Sequence, residues 1–220
     1  MPNLQTAPAA GGAVTLLQST VHFNGSYRLE HNHGENGGAI YAIESNLYVN
    51  TNVTIVNNTA AENGGGMYLY QSEFYCQQNY HLTLQGNEAT VKAGGIHLVS
   101  SFVILSAPKL SMQAKWLEFT RNTAKEGGGL FLEANSKLYI LQYYNPSFYR
   151  DHLSNLVYSI YFNSNNAEYG GAVYVDDYTN SIGTCKGTSS HTQSPRTECF
   201  FQVLSRHPNR LRITPLYKTH

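Results

Sequence analysis

"FTRNTAKEGGGLFL", residues 119–132, sets a polar Asn, a small Ala and three successive glycines between two apolar stretches. Its parts recur along the chain. The segments "GGAVTL" (11–16), "GGAIYA" (37–42), "GGGMYL" (64–69), "AGGIHL" (93–98), "GGGLFL" (127–132) and "GGAVYV" (170–175) superpose without gaps, and their starts are separated by 26, 27, 29, 34 and 43 residues. Ahead of five of them, an apolar residue is followed three places later by Asn: Leu29/Asn32, Ile55/Asn58, Leu84/Asn87, Phe119/Asn122 and Phe162/Asn165. Two places beyond each Asn stands a small residue, Gly34, Ala60, Ala89, Ala124 or Ala167. The Asn lies five or six residues before its glycine segment every time, so length drifts only between repeats. A coil with one fixed corner and tolerant loops has this pattern.

Inside each repeat the period is two. The aliphatic columns Val14, Ile40, Met67, Ile96, Leu130, Val173 and Leu16, Ala42, Leu69, Leu98, Leu132, Val175 flank a column of Thr15, Tyr41, Tyr68, His97, Phe131 and Tyr174. Alternation of this kind puts the aliphatic columns on one face of a strand and the mostly aromatic one on the other. The Asn-bearing stretches alternate likewise through Val53/Ile55, Leu82/Leu84, Leu117/Phe119 and Ile160/Phe162, and "NLYVN" (46–50) and "KLYIL" (137–141) supply a third strand. Three short strands per turn, each stacked on its counterpart roughly 4.8 Å away, make a parallel β-helix. The predicted fold is therefore all-β, a parallel β-helix with about five to six rungs. Glycine serves its corners by allowing positive φ or close backbone approach, and Asn32, Asn58, Asn87, Asn122 and Asn165 are expected to stack as a hydrogen-bonded ladder. Residues 1–10 read as a poorly ordered tail, 11–177 as β-helix, 178–197 as an inserted surface loop, and 198–220 as further, truncated strands of the helix.

The paired motifs G-G-A-I and F-x-x-N, here "GGAI" (37–40), "FTRN" (119–122) and "FNSN" (162–165), resemble the polymorphic outer membrane protein repeat over roughly residues 11 to 176. That resemblance implies a right-handed single-stranded parallel β-helix of the pectin-lyase-like kind and a secreted or surface-exposed passenger, in bacteria an autotransported adhesin. Several apolar positions are not Phe, and no C-terminal membrane-barrel pattern is visible. Neither terminus shows a recognisable solenoid cap, so a fragment of a longer protein is expected.

Composition narrows the function classes. Lys+Arg and Asp+Glu number 14 each, so no basic footprint points to nucleic acid or an anionic membrane. No apolar run approaches the roughly 20 residues of a membrane span, and "MPNLQTAPAAGGAV" lacks the basic and apolar regions of a signal peptide. Cys185 and Cys199 bracket the Ser/Thr-rich stretch "CKGTSSHTQSPRTEC" and form a candidate disulfide in an extracellular setting, which leaves Cys76 as a buried thiol or as the partner of a Cys elsewhere. Asn24-Gly-Ser, Asn52-Val-Thr and Asn57-Asn-Thr are candidate N-glycosylation sequons.

Catalysis on a β-helix needs clustered carboxylates. The chain has three Asp, Asp151, Asp176 and Asp177, while Glu62, Glu126 and Glu168 recur in the corner before the glycines, as a solvated turn would. "HNH" (31–33) offers two imidazoles without a third ligand and reads as ordinary surface. No cofactor or metal site is expected. The candidate binding stripe is Tyr41, Tyr68, His97, Phe131 and Tyr174, read either as an outward platform for a protein or glycan ligand or as cross-rung stacking that stabilises the sheet. The expectation is a non-catalytic extracellular or cell-surface adhesive or scaffold module, with no nucleic acid partner and no membrane span; the alternative is a carbohydrate-active enzyme or its degenerate relative.

Overall fold

The computed structural model describes the backbone of residues 11–76, 80–106, 113–144, 157–176, 181–188, 199–200, 203–207 and 210–213, and side chains within 11–76, 80–104, 117–138 and 161–176. These residues are all-β and wind as a parallel β-helix. Three sheets run along it, each taking one strand per coil. The first stacks Val14–Leu17, Ile40–Ile43, Met67–Tyr70, Ile96–Val99, Leu130–Glu133 and Val173–Val175. The second contains Thr20–Phe23, Asn46–Val49, Glu73–Cys76, Phe102–Ser106, Lys137–Tyr144 and Ser181–Thr188. The third contains Tyr27–Glu30, Val53–Val56, Leu82–Gln85, Gln113–Thr120 and Val157–Asn163, and a short fourth pairs His33–Asn36, Thr59–Asn63 and Glu88–Ala89. Val14 lies opposite Ile40, then Met67, Ile96, Leu130 and Val173 in succession. The gapless alignment of the glycine segments is thus the physical register of the first sheet.

Three of the corners in each full coil use residues with positive φ. One set is Gly37, Gly64, Ala93, Gly127 and Gly170, another is Gln18, Glu44, Gln71 and Ser100, and the third is His31, Asn57, Gly86, Arg121 and Ser164. The ladder asparagines are therefore not themselves left-handed; the residue before each of them makes the turn. In residues 119–132, Arg121 (φ 55°) makes the first corner and Gly127 (φ 65°) the second. Gly128 and Gly129 serve close approach instead. A Cβ at Gly128 would lie 2.5 Å from the carbonyl oxygens of Asn166 and Gly171, and one at Gly129 would lie 2.9 Å from Cδ1 of Phe162. Gly95 stands in the same relation to Phe119, at 2.7 Å. The third small residue thus leaves the room into which Phe of the following coil packs, and Phe119 and Phe162 stack with centroids 4.8 Å apart and planes 2° from parallel.

The Asn column forms the expected ladder with its hydrogen bonds saturated. The backbone N–H and Nδ2 of Asn58 both donate to Oδ1 of Asn87, at 3.1 and 2.9 Å, and Asn87 repeats both bonds to Asn122 at 3.0 and 2.9 Å. Asn32 donates to Asn58, and Asn122 to Asn165, in the same way. The second Nδ2 proton of Asn58, Asn87, Asn122 and Asn165 goes to the carbonyl of Leu29, Ile55, Leu84 and Phe119 respectively. Both amide protons and both lone pairs of each interior Asn are used. A second ladder, not anticipated from the sequence, runs along the corner between the first and second sheets. The backbone N–H groups of Ser19, Ser45, Ser72 and Ser101 donate to Oγ of Ser45, Ser72, Ser101 and Ser136 at 3.0–3.2 Å.

Between the ladders lies the core, which includes Ile40, Leu47, Ile55, Met67, Leu69, Phe74, Leu82, Leu84, Ile96, Leu98, Leu117, Phe119, Leu130 and Leu132, all nearly inaccessible to solvent. Burying such side chains supplies about 1.5–3 kcal/mol each. At the C-terminal end the structure departs from expectation. Ser181–Thr188, placed by the sequence inside a surface loop, pairs parallel with Lys137–Tyr144 and extends the second sheet. Cys199–Phe200, Val203–His207 and Arg210–Ile213 run antiparallel and do not continue the parallel coils. Reversing direction ends the parallel ladder and occupies strand edges that would otherwise stay open. Residues 1–10 and 189–198 lie outside the described residues.

Two stability effects follow, both read from chemical denaturation. Asn87→Ala orphans the donors of Asn58 and the acceptors at Asn122 and Ile55, and is expected to cost at least about 3 kcal/mol, against about 1–2 kcal/mol for Ser72→Ala. Ala93 is a non-glycine residue with φ 55° in the column otherwise held by glycine, so Ala93→Gly is expected to gain about 0.5–1 kcal/mol. A loss at Ala93→Gly would contradict this reading of the corner.

Candidate functional site

Register places Thr15, Tyr41, Tyr68, His97, Phe131 and Tyr174 in one column on the outer face of the first sheet. The rings lean on one another. Tyr41 and Tyr68 stack with centroids 5.5 Å apart and planes within 15°, and Phe131 and Tyr174 do so at 4.9 Å and 15°. Rings stacked along the helix axis spend their faces on each other, so they present edges and hydroxyls outward. A flat platform of ring faces is not what this column offers.

His97 interrupts the stack, meeting Tyr68 at 81° and Phe131 at 78°. Turned this way, its Nε2 lies 2.9 Å from Oε2 of Glu133, which also receives Nζ of Lys92 at 2.8 Å. Lys92 stands in the corner column beside Asn63 and Glu126, and its Nζ sits 4.9 Å from the Phe131 ring centroid. Under this cover Phe131 is 0% exposed and His97 2%. Phe131 is thus on the outer face but closed to a partner. The exposed part of the stripe is confined to its lower and upper ends, at Tyr41, Tyr68 and Tyr174, all half-buried.

Electrostatics fixes the states of this cluster. The bond from His97, and then Lys92, holds the Glu133 carboxyl down at about 2 despite partial burial. Burial pushes His97 below its ordinary value, opposed by Glu133. A carboxylate only accepts, so Nε2 of the neutral ring carries the proton and Nδ1 is left as a buried lone pair without a partner.

A second aromatic column was not assembled from the sequence. His22, Tyr48 and Tyr75 stack on the outer face of the second sheet at 4.8 and 4.9 Å, with planes 10° and 5° apart. Tyr75 donates to Glu73, and that bond, more than burial, pushes its phenol up to about 12. The signal was available: "TVHF", "NLYV" and "EFYC" align with alternate residues outward.

The remaining sequence candidates are dispersed. His31 and His33 are exposed, and His33 Nδ1 lies 3.2 Å from Thr59 Oγ1. Cys76 is buried, which raises its thiol to about 12. Cys185 lies opposite Cys199 across an antiparallel pair, but their side chains lie outside the described residues, as do Asp151 and Asp177. Among the described residues, no cluster of three or more His, Cys, Asp or Glu is placed to hold a metal ion, and no helix is long and apolar enough to cross a membrane. No family model, no curated protein and no solved structure matches this chain.

The cluster generates a pH signature. Below the ordinary histidine value of 6.5 the unfolded chain takes up a proton that folded His97 resists, so stability is lost as pH falls. Glu133 adds a further loss as pH falls from 4.5 towards 2. The charged or titratable groups acting on the ring are Glu133, Lys92 and Asp176. Urea midpoints are expected to fall between pH 7 and pH 5, and less steeply in His97→Gln; parallel curves would show that His97 is not the group responsible.

Proposed function

We propose that this chain works as a non-catalytic, extracellular or cell-surface β-helix module, a stiff scaffold that presents its outer face to a protein or glycan ligand. The observation that carries this reading is the pair of ladders, the Asn one saturated, which tie each coil to the next and leave the outward side chains as the part that differs from coil to coil. On the first sheet the outward positions Leu17, Ile43, Tyr41, Tyr68 and Tyr70 form an apolar and aromatic area, with Leu17 exposed and the others half-buried. Such areas favour association, through ring edges and hydroxyls here. The resemblance to polymorphic outer membrane protein repeats supports the same setting.

The competing reading, a carbohydrate-active enzyme, has one observation in its favour. Glu133 and Asp176 follow one another in the outward column beside Val99, where the Asp176 N–H donates to the Leu132 carbonyl. Glu133, however, is ion-paired and ionised across the neutral range, so it lacks the proton a general acid must give.

The test combines binding and turnover. Tyr41→Ala with Tyr68→Ala is expected to lower binding to cells or arrayed glycans by about tenfold or more while the β-sheet circular dichroism is kept. Unchanged binding would make the column purely structural. Depolymerisation of any polysaccharide in a panel, abolished by Glu133→Gln, would favour the enzyme.

A further inference from the structure

We propose that Asn24 and Asn52 carry N-linked glycans, which clothe the corner between the second and third sheets and leave the outer face of the first sheet bare. This rests on the extracellular reading above.

Asparagine has two incompatible uses in this fold. The ladder positions Asn58, Asn87 and Asn122 are 0% exposed, and both Nδ2 protons of each are donated to the protein. None of them can lose a proton to a sugar without breaking the corner. All three sequons instead begin at exposed residues, Asn24, Asn52 and Asn57. The separation is sharpest in "VNNT" (56–59), where the acceptor position of the sequon falls on exposed Asn57 and not on its buried neighbour Asn58.

Asn24 and Asn52 are further suited by how their amides are held. Oδ1 of Asn24 accepts from Nδ2 of Asn50 at 2.9 Å, and Oδ1 of Asn52 accepts from the backbone N–H of His81 at 3.0 Å. No described residue accepts from either Nδ2. An N-glycoside keeps the amide carbonyl, so both bonds survive the modification. Asn57 differs: its Oδ1 fills the space where a Cβ at Gly86 would stand, 2.4 Å away, so its amide lies against the next coil.

The co-substrate is a lipid-diphosphate-linked oligosaccharide of the eukaryotic secretory route. Nδ2 attacks C1 of the first sugar, the C1–O bond to the diphosphate breaks, the Nδ2–C1 bond forms, and one amide proton is lost to the transferase. Both acceptors sit after a second-sheet strand, Asn24 just beyond Thr20–Phe23 and Asn52 just before Val53–Val56. The glycans therefore emerge from one flank, away from Tyr41 and Tyr68.

The test is to express the full chain behind a cleavable signal peptide in animal cells and to measure intact mass before and after treatment with a peptide N-glycosidase. Asn24→Gln and Asn52→Gln are each expected to remove one glycan from secreted protein, and enzymatic deglycosylation to leave the melting temperature unchanged. Secreted protein without glycans at these two positions would overturn the proposal while the extracellular reading stands. Glycans at both positions on a chain that is retained and degraded would support the sites and count against the extracellular module.

Discussion

Each coil must superpose on the next at its corners, because the side chains there bond to copies of themselves. An interior Asn of the ladder accepts two bonds from the coil before it and gives its own backbone N–H and one amide proton to the coil after it. Buried in a medium that screens poorly, such a chain of bonds rewards complete pairing and heavily penalises a gap. The constraint explains where the repeat can grow. The longer coils take up most of their extra residues between a second-sheet and a third-sheet strand, between Ser106 and Gln113 and between Tyr144 and Val157, while the Asn and glycine corners keep their spacing to within one residue and the Ser corner lengthens by one residue before Ser136.

The same superposition governs the outer surface. Side chains at equivalent positions are brought within about one strand spacing of each other, so aromatic residues that alternate outward stack face to face whether or not a ligand exists. Tyr41 on Tyr68 and Tyr48 on Tyr75 are consequences of register first. Individuality arises where a column is interrupted, and His97 is the clearest case: a ring turned out of the stack to reach a carboxylate on the following coil, beneath a lysine from the corner.

Much of this architecture is legible in the sequence because stacking forces like residues into like positions. The aliphatic alternation gave the interior columns, and the F-x-x-N and glycine landmarks gave register and the Asn ladder. The Ser ladder is not legible in the sequence, since Ser19, Ser45, Ser72, Ser101 and Ser136 are short polar residues in strings that resemble any loop. Corner residues with positive φ such as Gln71 or Arg121 carry no compositional mark, because neighbouring coils impose that conformation on them. The burial of Phe131 is not legible for another reason: Lys92 and Glu133 belong to different coils and do not repeat, so periodicity holds no trace of the pair. The antiparallel strands beyond Cys199 break the period altogether and had to be seen.

The most direct test of the central claim is hydrogen exchange at the asparagine side-chain amides, followed by NMR with residue-specific assignment. If the ladder holds the coils together, the Nδ2 protons of Asn58, Asn87 and Asn122 exchange only through global unfolding, as slowly as the most protected backbone amides of the first sheet. Exposed Asn52 supplies the fast reference in the same spectrum. Exchange of the ladder amides at the rate of Asn52 would contradict the account, since it would mean that the corners open while the sheets stay folded.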